Sequence, residues 1–309
     1  MHSINTFHSA LISTPHISLT FLGKMVFYYS WKHLLAITLA IFLAGTSPRQ
    51  VSGQNCGCAD YYCCSKNGYC GIGLPYCGDG CQSGNCYPLP PSNNVSVSDI
   101  VTDEFFNGII DQAPENCPGK RFYTRPAFLE AITFYPWFGT VGFEEDSKRE
   151  IAAFFAHVTF ETGHFCHIEV DDGQDHCISD VQNPCTPGKR YYGRGPLQLT
   201  WNYNYGPAGR NISLNLLDYP ERVASDPVVS FKTALWFWMV NCHYSINAHR
   251  GFGVTIRAIN PSECDGGNPS AVNARVGFYE DYCNQFQVDP GTYLTCNLAS
   301  EAISSAAII

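Results

Sequence analysis

The stretch YYGRGPLQLTWNYNYGPAG, residues 191–209, is the most specific part of this 309-residue sequence. The stretch AAFFAHVTFETGHFC (152–166) lies on its N-terminal side. On its C-terminal side lie GFGVTIRAIN (251–260) and ECDGGNPSAVNARVGFY (263–279). These blocks belong to one region of about 200 residues, which is long enough to enclose a single apolar core. We therefore treat residues 98–296 as one large domain.

Three segments of the large domain carry a helical pattern. Ser147 to Phe160 has apolar residues at i, i+3, i+4 and i+7, which predicts an amphipathic helix with Ser147 or Asp146 as its N-cap. Ser230 to Val240 is apolar almost all round and predicts a buried helix. Ser270 to Phe286 predicts a third helix. Since no sustained period-two pattern occurs, we expect a mainly α domain with long loops tied by disulfides.

The 16 cysteines divide the chain into a small and a large unit. Eight lie within residues 56–86 and eight within 117–296. A segment as short as the first cannot bury a sufficient apolar core, so disulfides must hold it together, and spacing alone leaves roughly a hundred connectivities open. The Pro-, Asn- and Ser-rich stretch that follows is typical of a linker. We expect a module at 54–87, a linker at 88–97 and a C-terminal tail at 297–309.

The N-terminal region is typical of a secreted protein. Residues 1–53 contain no acidic residue, and the apolar run LLAITLAIFLAG (34–45) follows Lys32 and precedes small residues. This run is shorter than the about 20 residues that cross a bilayer, so it indicates a signal peptide rather than a membrane anchor. We expect the signal to start at Met25 and to be cleaved after Gly53, which leaves a secreted protein without a membrane segment.

Composition excludes several classes of partner. Acidic residues outnumber basic ones 27 to 18, a formal net charge of −9, which disfavours a nucleic-acid binder. His164 and His167 have a spacing compatible with metal ligands, but no third ligand pattern accompanies them, so we expect neither a metal nor another cofactor. Secretion would expose sequons at Asn94 and Asn211 to glycosylation. We expect a monomer, and the apolar tail at 297–309 raises the hypothesis of vacuolar sorting.

The block QNCGCADYYCCSKNGYCGIGLPYCGDGCQSGNC, residues 54–86, resembles the hevein-type chitin-binding domain. The resemblance implies a sugar-binding surface of one serine and three aromatic residues. Ser65, Tyr69 and Tyr76 match it, whereas Asn67 replaces the third aromatic. Because flat aromatic rings cover the apolar faces of sugars, we expect chitin binding weaker by about 1 kcal/mol or more. The resemblance also implies four disulfides: Cys56–Cys64, Cys58–Cys70, Cys63–Cys77 and Cys81–Cys86.

The blocks of the large domain resemble the catalytic domain of family 19 glycoside hydrolases, the plant chitinases, and with the module they match the class IV group. This implies a lysozyme-like fold and hydrolysis of β-1,4-linked N-acetylglucosamine chains, chitin and chito-oligosaccharides, with inversion. Inversion needs one carboxyl to protonate the leaving oxygen and a second to activate water. The motif places the acid at Glu161, whose pKa must be raised for this role.

The position of the general base departs from the family. The base lies four residues after the cysteine of the HFC segment, which is Val170 here, and valine cannot accept a proton. Glu169 or Asp171 would have to replace it in a slower hydrolase; the alternative is a chitin-binding lectin without efficient cleavage. The family's His-Glu-Thr is also changed, because Phe160 precedes the acid, which makes the site more apolar.

Other positions of the binding groove match the family, which argues against a purely structural wall or defence protein. Thr200 matches the residue that holds the attacking water, and Glu263 matches an acidic position in a loop that is one residue shorter than usual. Sugar-contacting positions are matched by Gln198, Tyr203, Asn204, Asn260 and Arg275. The implied disulfides of this domain are Cys117–Cys166, Cys177–Cys185 and Cys264–Cys296. Cys242 and Cys283 remain as buried thiols or a fourth bridge.

Overall fold

The computed structural model describes residues 63–65, 70–71, 81–84, 92–178 and 180–296. The expected signal peptide, the tail and the aromatic residues Tyr69 and Tyr76 lie outside these residues. Within the described ranges, no helix combines the length and apolar character needed to cross a membrane.

The large domain is mainly helical, as the sequence predicts, and its strands are short. Its helices are α1 (Val97–Ile100), α2 (Asp103–Ile110), α3 (Gly119–Phe122), α4 (Arg125–Ile132), α5 (Glu144–Thr162), α6 (Asn202–Asn211), α7 (Arg222–Ser225), α8 (Pro227–Asn241), α9 (His243–Asn247), α10 (Gly253–Ile259) and α11 (Pro269–Gln285), with a 3-10 turn at Pro261–Glu263. The strands of the whole described chain are β1 (Cys63–Ser65), β2 (Cys70–Gly71), β3 (Cys81–Gly84), β4 (Glu169–Val170) and β5 (Gly193–Arg194).

The small module contains an antiparallel sheet in the order β2-β1-β3. Ser65 of β1 lies opposite Cys81 of β3, next to an irregularity in the register, and Cys63 forms a disulfide with Cys81 at a Cα separation of 5.7 Å. The expected pairs Cys63–Cys77 and Cys81–Cys86 are therefore wrong, because the pairing of β1 with β3 brings Cys81 within bonding reach of Cys63. The other two implied pairs involve residues outside the described ones: Cys56–Cys64 and Cys58–Cys70.

The end of the predicted linker is docked on the large domain. Ser92 forms a β-bridge with Val141, and the side-chain amide of Asn93 donates to the hydroxyl of Ser147 at 2.9 Å. Val97, in the last position assigned to the linker, is buried in the core. Residues 92–97, which the composition assigns to the linker, thus contact the large domain, since Pro, Asn and Ser mark irregular backbone but do not reveal whether that backbone is docked.

Helix α5 is the central helix of the domain, and it begins before the predicted start. Phe143 is its N-cap, and the backbone N–H of Phe143 donates to Oδ2 of Asp146 at 2.9 Å. The prediction of Ser147 or Asp146 as N-cap is wrong, because an acidic first turn is stabilised by the helix dipole and carries no apolar period. At the other end, Gly163 has φ +60° and closes the helix in the left-handed conformation.

The core lies between α5 and the helices α8 and α11. The predicted helix over 230–240 is confirmed as part of α8, and the one over 270–286 is confirmed as α11, which ends one residue earlier at Gln285. Leu235 and Trp238 are buried, whereas Phe237 is only partly buried. Several aromatic rings meet edge to face in this core, a geometry worth about 0.5–1.5 kcal/mol per pair. These contacts include Phe105–Phe155, Phe128–Phe155, Phe138–Phe154 and Phe154–Trp238.

A buried carboxylate ties three helices together at one end of this core. Glu150 of α5 accepts from the indole N–H of Trp238 at 2.8 Å and lies 2.5 Å from Nδ1 of His243. Its second oxygen accepts from the backbone N–H of Gly139 at 2.9 Å. Glu150, His243 and Trp238 are all inaccessible to solvent. Both oxygens of this carboxylate are therefore satisfied, as a buried charge requires.

Disulfides close the loops of the large domain in the pairs that the resemblance implies. The bridges join Cys117 to Cys166, Cys177 to Cys185 and Cys264 to Cys296. Cys242 and Cys283 are buried and unbridged. Next to the first bridge, a Cβ on Gly119 would lie 1.9 Å from the carbonyl oxygen of Phe165, so only glycine fits there.

Candidate active site

A groove of about 600 Å³ lies along one side of the large domain. Its floor is built by the C-terminal end of α5, the loop after β5, the start of α6 and the end of α10. A partly buried Phe237 from α8 also lines it. The groove brings together six of the predicted site residues, which lie up to 99 positions apart in the sequence: Glu161, Gln198, Thr200, Tyr203, Asn204 and Asn260.

Glu161 is the carboxyl group of this groove. Its side chain is 18% exposed, and Oε1 forms an ion pair with Nη2 of Arg275. Burial raises the pKa of Glu161 above its ordinary value, the positive charge of Arg275 partly opposes this, and the nearby carboxylate of Glu263 raises it further. A carboxyl that keeps its proton toward higher pH is suited to act as a general acid.

Arg275 lies beneath the groove rather than on its surface. Its side chain is completely buried, and it donates from Nε to Oε2 of Glu263 at 2.7 Å and from Nη2 to Oε1 of Glu263 at 2.8 Å. Asn260 donates to the same Glu263 at 2.9 Å. The expectation that Arg275 contacts sugar is therefore not met, because no part of its side chain reaches solvent. Although the loop that carries Glu263 is one residue shorter than usual in the family, it places Glu263 in contact with Arg275.

The charges of this cluster favour a proton on the acid. With Glu161 and Glu263 both ionised, the single positive charge of Arg275 would leave a net negative charge in a mostly buried place. A proton on Glu161 makes the three side chains neutral together, which lowers the cost of burying them.

Phe160 covers one face of the same guanidinium. The Cζ atom of Arg275 lies 4.1 Å from the centre of the Phe160 ring, which is a cation–π contact. The exchange of the family's histidine for phenylalanine thus removes a hydrogen-bonding group but supplies a face contact to the arginine that pairs with Glu161.

Thr200 and Gln198 present acceptors to the groove. The Thr200 hydroxyl donates to the carbonyl of Gln198 at 2.8 Å, so its lone pairs are left to accept a hydrogen bond from a water. The Gln198 amide donates to the carbonyl of Gly195 at 2.9 Å, while its Oε1 is buried and finds no partner among the described residues. Such an atom can accept a hydrogen bond from a ligand.

An aromatic platform stands at the opening of the groove. Tyr203 is 43% exposed, and its ring stacks on Trp201 with a centroid distance of 5.7 Å and an interplanar angle of 12°. Asn204, on the same helix, donates to the carbonyl of Thr200 at 2.9 Å. An exposed and rigidly supported ring is the kind of surface on which the apolar face of a sugar stacks.

The region of the expected base does not deliver a free carboxylate to the groove. Val170 is 49% exposed on β4, opposite Gly193 of β5. Glu169 is paired with Nε of Arg194 at 3.1 Å, and Asp171 forms a two-point ion pair with Arg190 that lowers the pKa of Asp171. The side chains of Glu169, Val170 and Asp171 do not line the groove.

Of the surface predicted to bind sugar in the module, only Ser65 lies among the described residues, whereas both histidines of the predicted pair are described. Ser65 of the module is 6% exposed, and its carbonyl accepts from the Gln82 amide at 2.9 Å. His164 and His167 follow the end of α5, and no cluster of three potential metal ligands occurs among the described residues.

A helical domain with a protonatable carboxyl in an open, aromatic-rimmed groove has the architecture of a glycoside hydrolase. Comparison with known proteins makes the assignment specific. The family model described as Chitinase class I matches residues 100–250 and 241–296, and the chain belongs to this family of glycoside hydrolases, family 19.

Similar proteins are found in plants and bacteria. The chain is 56% identical over 269 residues to Endochitinase EP3 of Arabidopsis thaliana, covering 86% of this chain and 97% of that one. It is 56% identical over 280 residues to Chitinase 5 of Oryza sativa subsp. japonica, covering 85% and 96%. The class IV chitinase structure from Zea mays superposes with a TM-score of 0.62 at 58% identity, covering 64% of this chain and 98% of that one.

Proposed function

We propose that this chain is a chitin-binding endochitinase that hydrolyses β-1,4-N-acetylglucosamine linkages with inversion and at a reduced rate. The observation that carries the proposal is the pairing of Glu161 with Arg275 at the floor of the groove, where burial raises the pKa of the acid. The relatives include proteins named endochitinase and chitinase that match over nearly their whole length, and they support the same substrate.

The groove residues divide the reaction between them. A sugar chain stacks on Tyr203, and Glu161 donates its proton to the leaving glycosidic oxygen as the bond to the anomeric carbon breaks. A water held by the acceptor lone pairs of Thr200 attacks that carbon from the opposite face. The attacking water must then lose a proton, and Val170 cannot take it, so this proton passes to solvent or to a carboxylate released from its ion pair.

The slow step can be tested by restoring the base. Loss of a general base costs about 10²–10⁴-fold in rate, so Val170→Glu should raise kcat for chitin oligomers by a factor in that range. Val170→Gln is the matched control, because it has the same shape without a proton-accepting carboxylate. Product anomers followed by NMR report whether hydrolysis inverts. If Val170→Glu and Val170→Gln cleave at the same rate as the parent, position 170 is not the cause.

The second candidate is a chitin lectin on the same fold. The ion pairs of Glu169 and Asp171 favour it, because they hold both neighbouring carboxylates away from the groove. Under this alternative, the parent protein and Glu161→Gln bind chitin oligomers with equal affinity and neither releases products on long incubation. Any product release by the parent that Glu161→Gln abolishes rejects the lectin.

We further propose that the module binds chitin weakly and that the protein is secreted as a monomer. In the full-length protein, Asn67→Trp should increase retention on chitin beads, and unchanged retention would reject the missing platform as the cause. N-terminal sequencing of protein secreted by plant cells should begin at Gln54. A reporter fused to residues 297–309 tests vacuolar sorting.

A further inference from the structure

His157 is a buried histidine that the proposed mechanism does not use. It lies on α5 one helical turn before Glu161, so both side chains project from the same side of the helix. The ring is completely buried and does not line the groove. Nevertheless both of its nitrogens have partners: Nη1 of Arg275 lies 3.1 Å from Nδ1, and Oγ1 of Thr255 lies 2.8 Å from Nε2.

The directions of these hydrogen bonds fix the state of the ring. A guanidinium only donates, so Nδ1 of His157 must accept from Arg275. Nε2 then carries the hydrogen and donates to Thr255, whose hydroxyl donates onward to the carbonyl of Phe252 at 2.7 Å. A protonated imidazole would have no lone pair for Arg275 and would face its positive charge. Burial and Arg275 together lower the pKa of His157 well below its ordinary value.

The charged groups around the ring belong to one connected cluster. Arg275 of α11 is the charged side chain that contacts His157, and Glu161 and Glu263 reach it through that arginine. On the remaining side the ring stacks on Phe252 at 4.7 Å. Because the guanidinium is planar and rigid, a contact that fixes Nη1 also fixes the directions of Nη2 and Nε.

We propose that His157 is a positioning residue for Glu161: its neutral imidazole holds the guanidinium of Arg275 in the rotation that pairs with the acid. The inference rests on the proposed function for the role of Glu161, but the pairing itself can be measured without turnover. In this arrangement the chain from Phe252 through Thr255 and His157 to Arg275 supports the acid from below the groove.

The test compares three substitutions in the full-length protein. His157→Leu removes the acceptor, His157→Gln supplies an amide oxygen in its place, and Thr255→Val breaks the chain from the far end with little change of shape. Phe252→Leu is the control, because it removes packing on the ring and keeps both side-chain hydrogen bonds. The readouts are ¹³C NMR titration of the Glu161 carboxyl, assigned by its loss in Glu161→Gln, together with kcat and KM.

We expect His157→Leu to raise the titration midpoint of Glu161 by about one pH unit, the equivalent of one hydrogen bond, because Arg275 is no longer held against it. It should also lower kcat by roughly 10–100-fold with KM unchanged. His157→Gln should restore both values, and Thr255→Val should shift the midpoint upward by less.

Two outcomes would overturn the inference. One is a Glu161 midpoint in His157→Leu and Thr255→Val that equals the parent value. The other is a shift that Phe252→Leu reproduces, which would make the effect one of packing. A parent protein that never hydrolyses chitin while the midpoints shift as expected would reject the proposed function and support the positioning role.

Discussion

Replacing Glu150 by glutamine should lower the melting temperature of the large domain by about 6–12 °C. The carboxylate joins α5 to Trp238 of α8 and His243 of α9, and it also accepts from the backbone of Gly139. Glutamine has nearly the same shape, but its amide nitrogen can only donate. One of the donors that now meets an oxygen would therefore be left buried without a partner.

The size of the effect follows from the burial of the cluster. Removing one partner of a buried pair costs about 3–5 kcal/mol, and we take the lower end because glutamine keeps one acceptor oxygen. For a domain of this length, 1 kcal/mol corresponds to about 2–4 °C. Thermal unfolding followed by circular dichroism at neutral pH gives the value directly.

The pH dependence of the difference provides a second check. Burial alone would raise the pKa of Glu150, but His243, Asn247 and Trp238 outweigh it, and the pKa lies below the ordinary value of 4.5. A depressed carboxyl pKa contributes stability that is present above the unfolded value and lost as the pH falls through the folded value. The difference in melting temperature between the parent and Glu150→Gln should therefore be larger at neutral pH than below about pH 4.

The matched control is Glu280→Gln on the exposed face of α11, which makes the same chemical change. A surface substitution changes stability by about 0.5 kcal/mol or less, or about 2 °C. Two results would contradict this prediction. One is a melting temperature of Glu150→Gln as close to that of the parent as the melting temperature of Glu280→Gln is. The other is a decrease in the melting temperature of Glu150→Gln that does not depend on pH.

Three further predictions concern the groove and the loops. The kcat of the parent should fall as the pH rises through the raised pKa of Glu161, above 4.5, and Glu161→Gln should abolish hydrolysis at every pH of the same rate profile. Replacing both Cys117 and Cys166 by serine removes the disulfide that closes a loop of 49 residues, so the free energy of unfolding measured by calorimetry should fall by about 4 kcal/mol. An unchanged melting temperature would contradict this. Tyr203→Ala should weaken oligosaccharide binding by about 1 kcal/mol in calorimetric titration, whereas Tyr203→Phe should retain it.

The apolar pattern predicted three of the longer helices but not α2, although α2 also buries an apolar face. The segment 230–240 lies within α8, and the segment 270–286 matches α11 except for Phe286, which is its C-cap. The acidic turn from Glu144 to Asp146 was missed at the start of α5, because its stability comes from the helix dipole and from the Asp146 side chain. The docking of Ser92 was missed for a related reason, since a β-bridge to Val141 leaves no local pattern.

The family motifs predicted most of the residues that line the groove, but they wrongly placed Arg275 among the residues that contact sugar. A signal for its burial was present, because Val272, Arg275 and Tyr279 follow each other at helical spacing and all three are buried. The role of His157 could not be predicted, since Arg275 lies 118 residues further along the chain. Nor could the ion pair between Glu169 and Arg194, because it depends on the register of β4 with β5.

The docking of Asn93 also determines where mechanical load enters the catalytic domain. A pull on the preceding chain is taken up first by the bridge from Ser92 to Val141 and by the hydrogen bond from Asn93 to Ser147. Ser147 lies in the first turn of α5, and Glu161 lies 14 residues further on, about 21 Å along the helix axis. Tension on the chain before residue 92 would thus be borne at the end of the helix remote from Glu161, which leaves the shape of the groove unchanged.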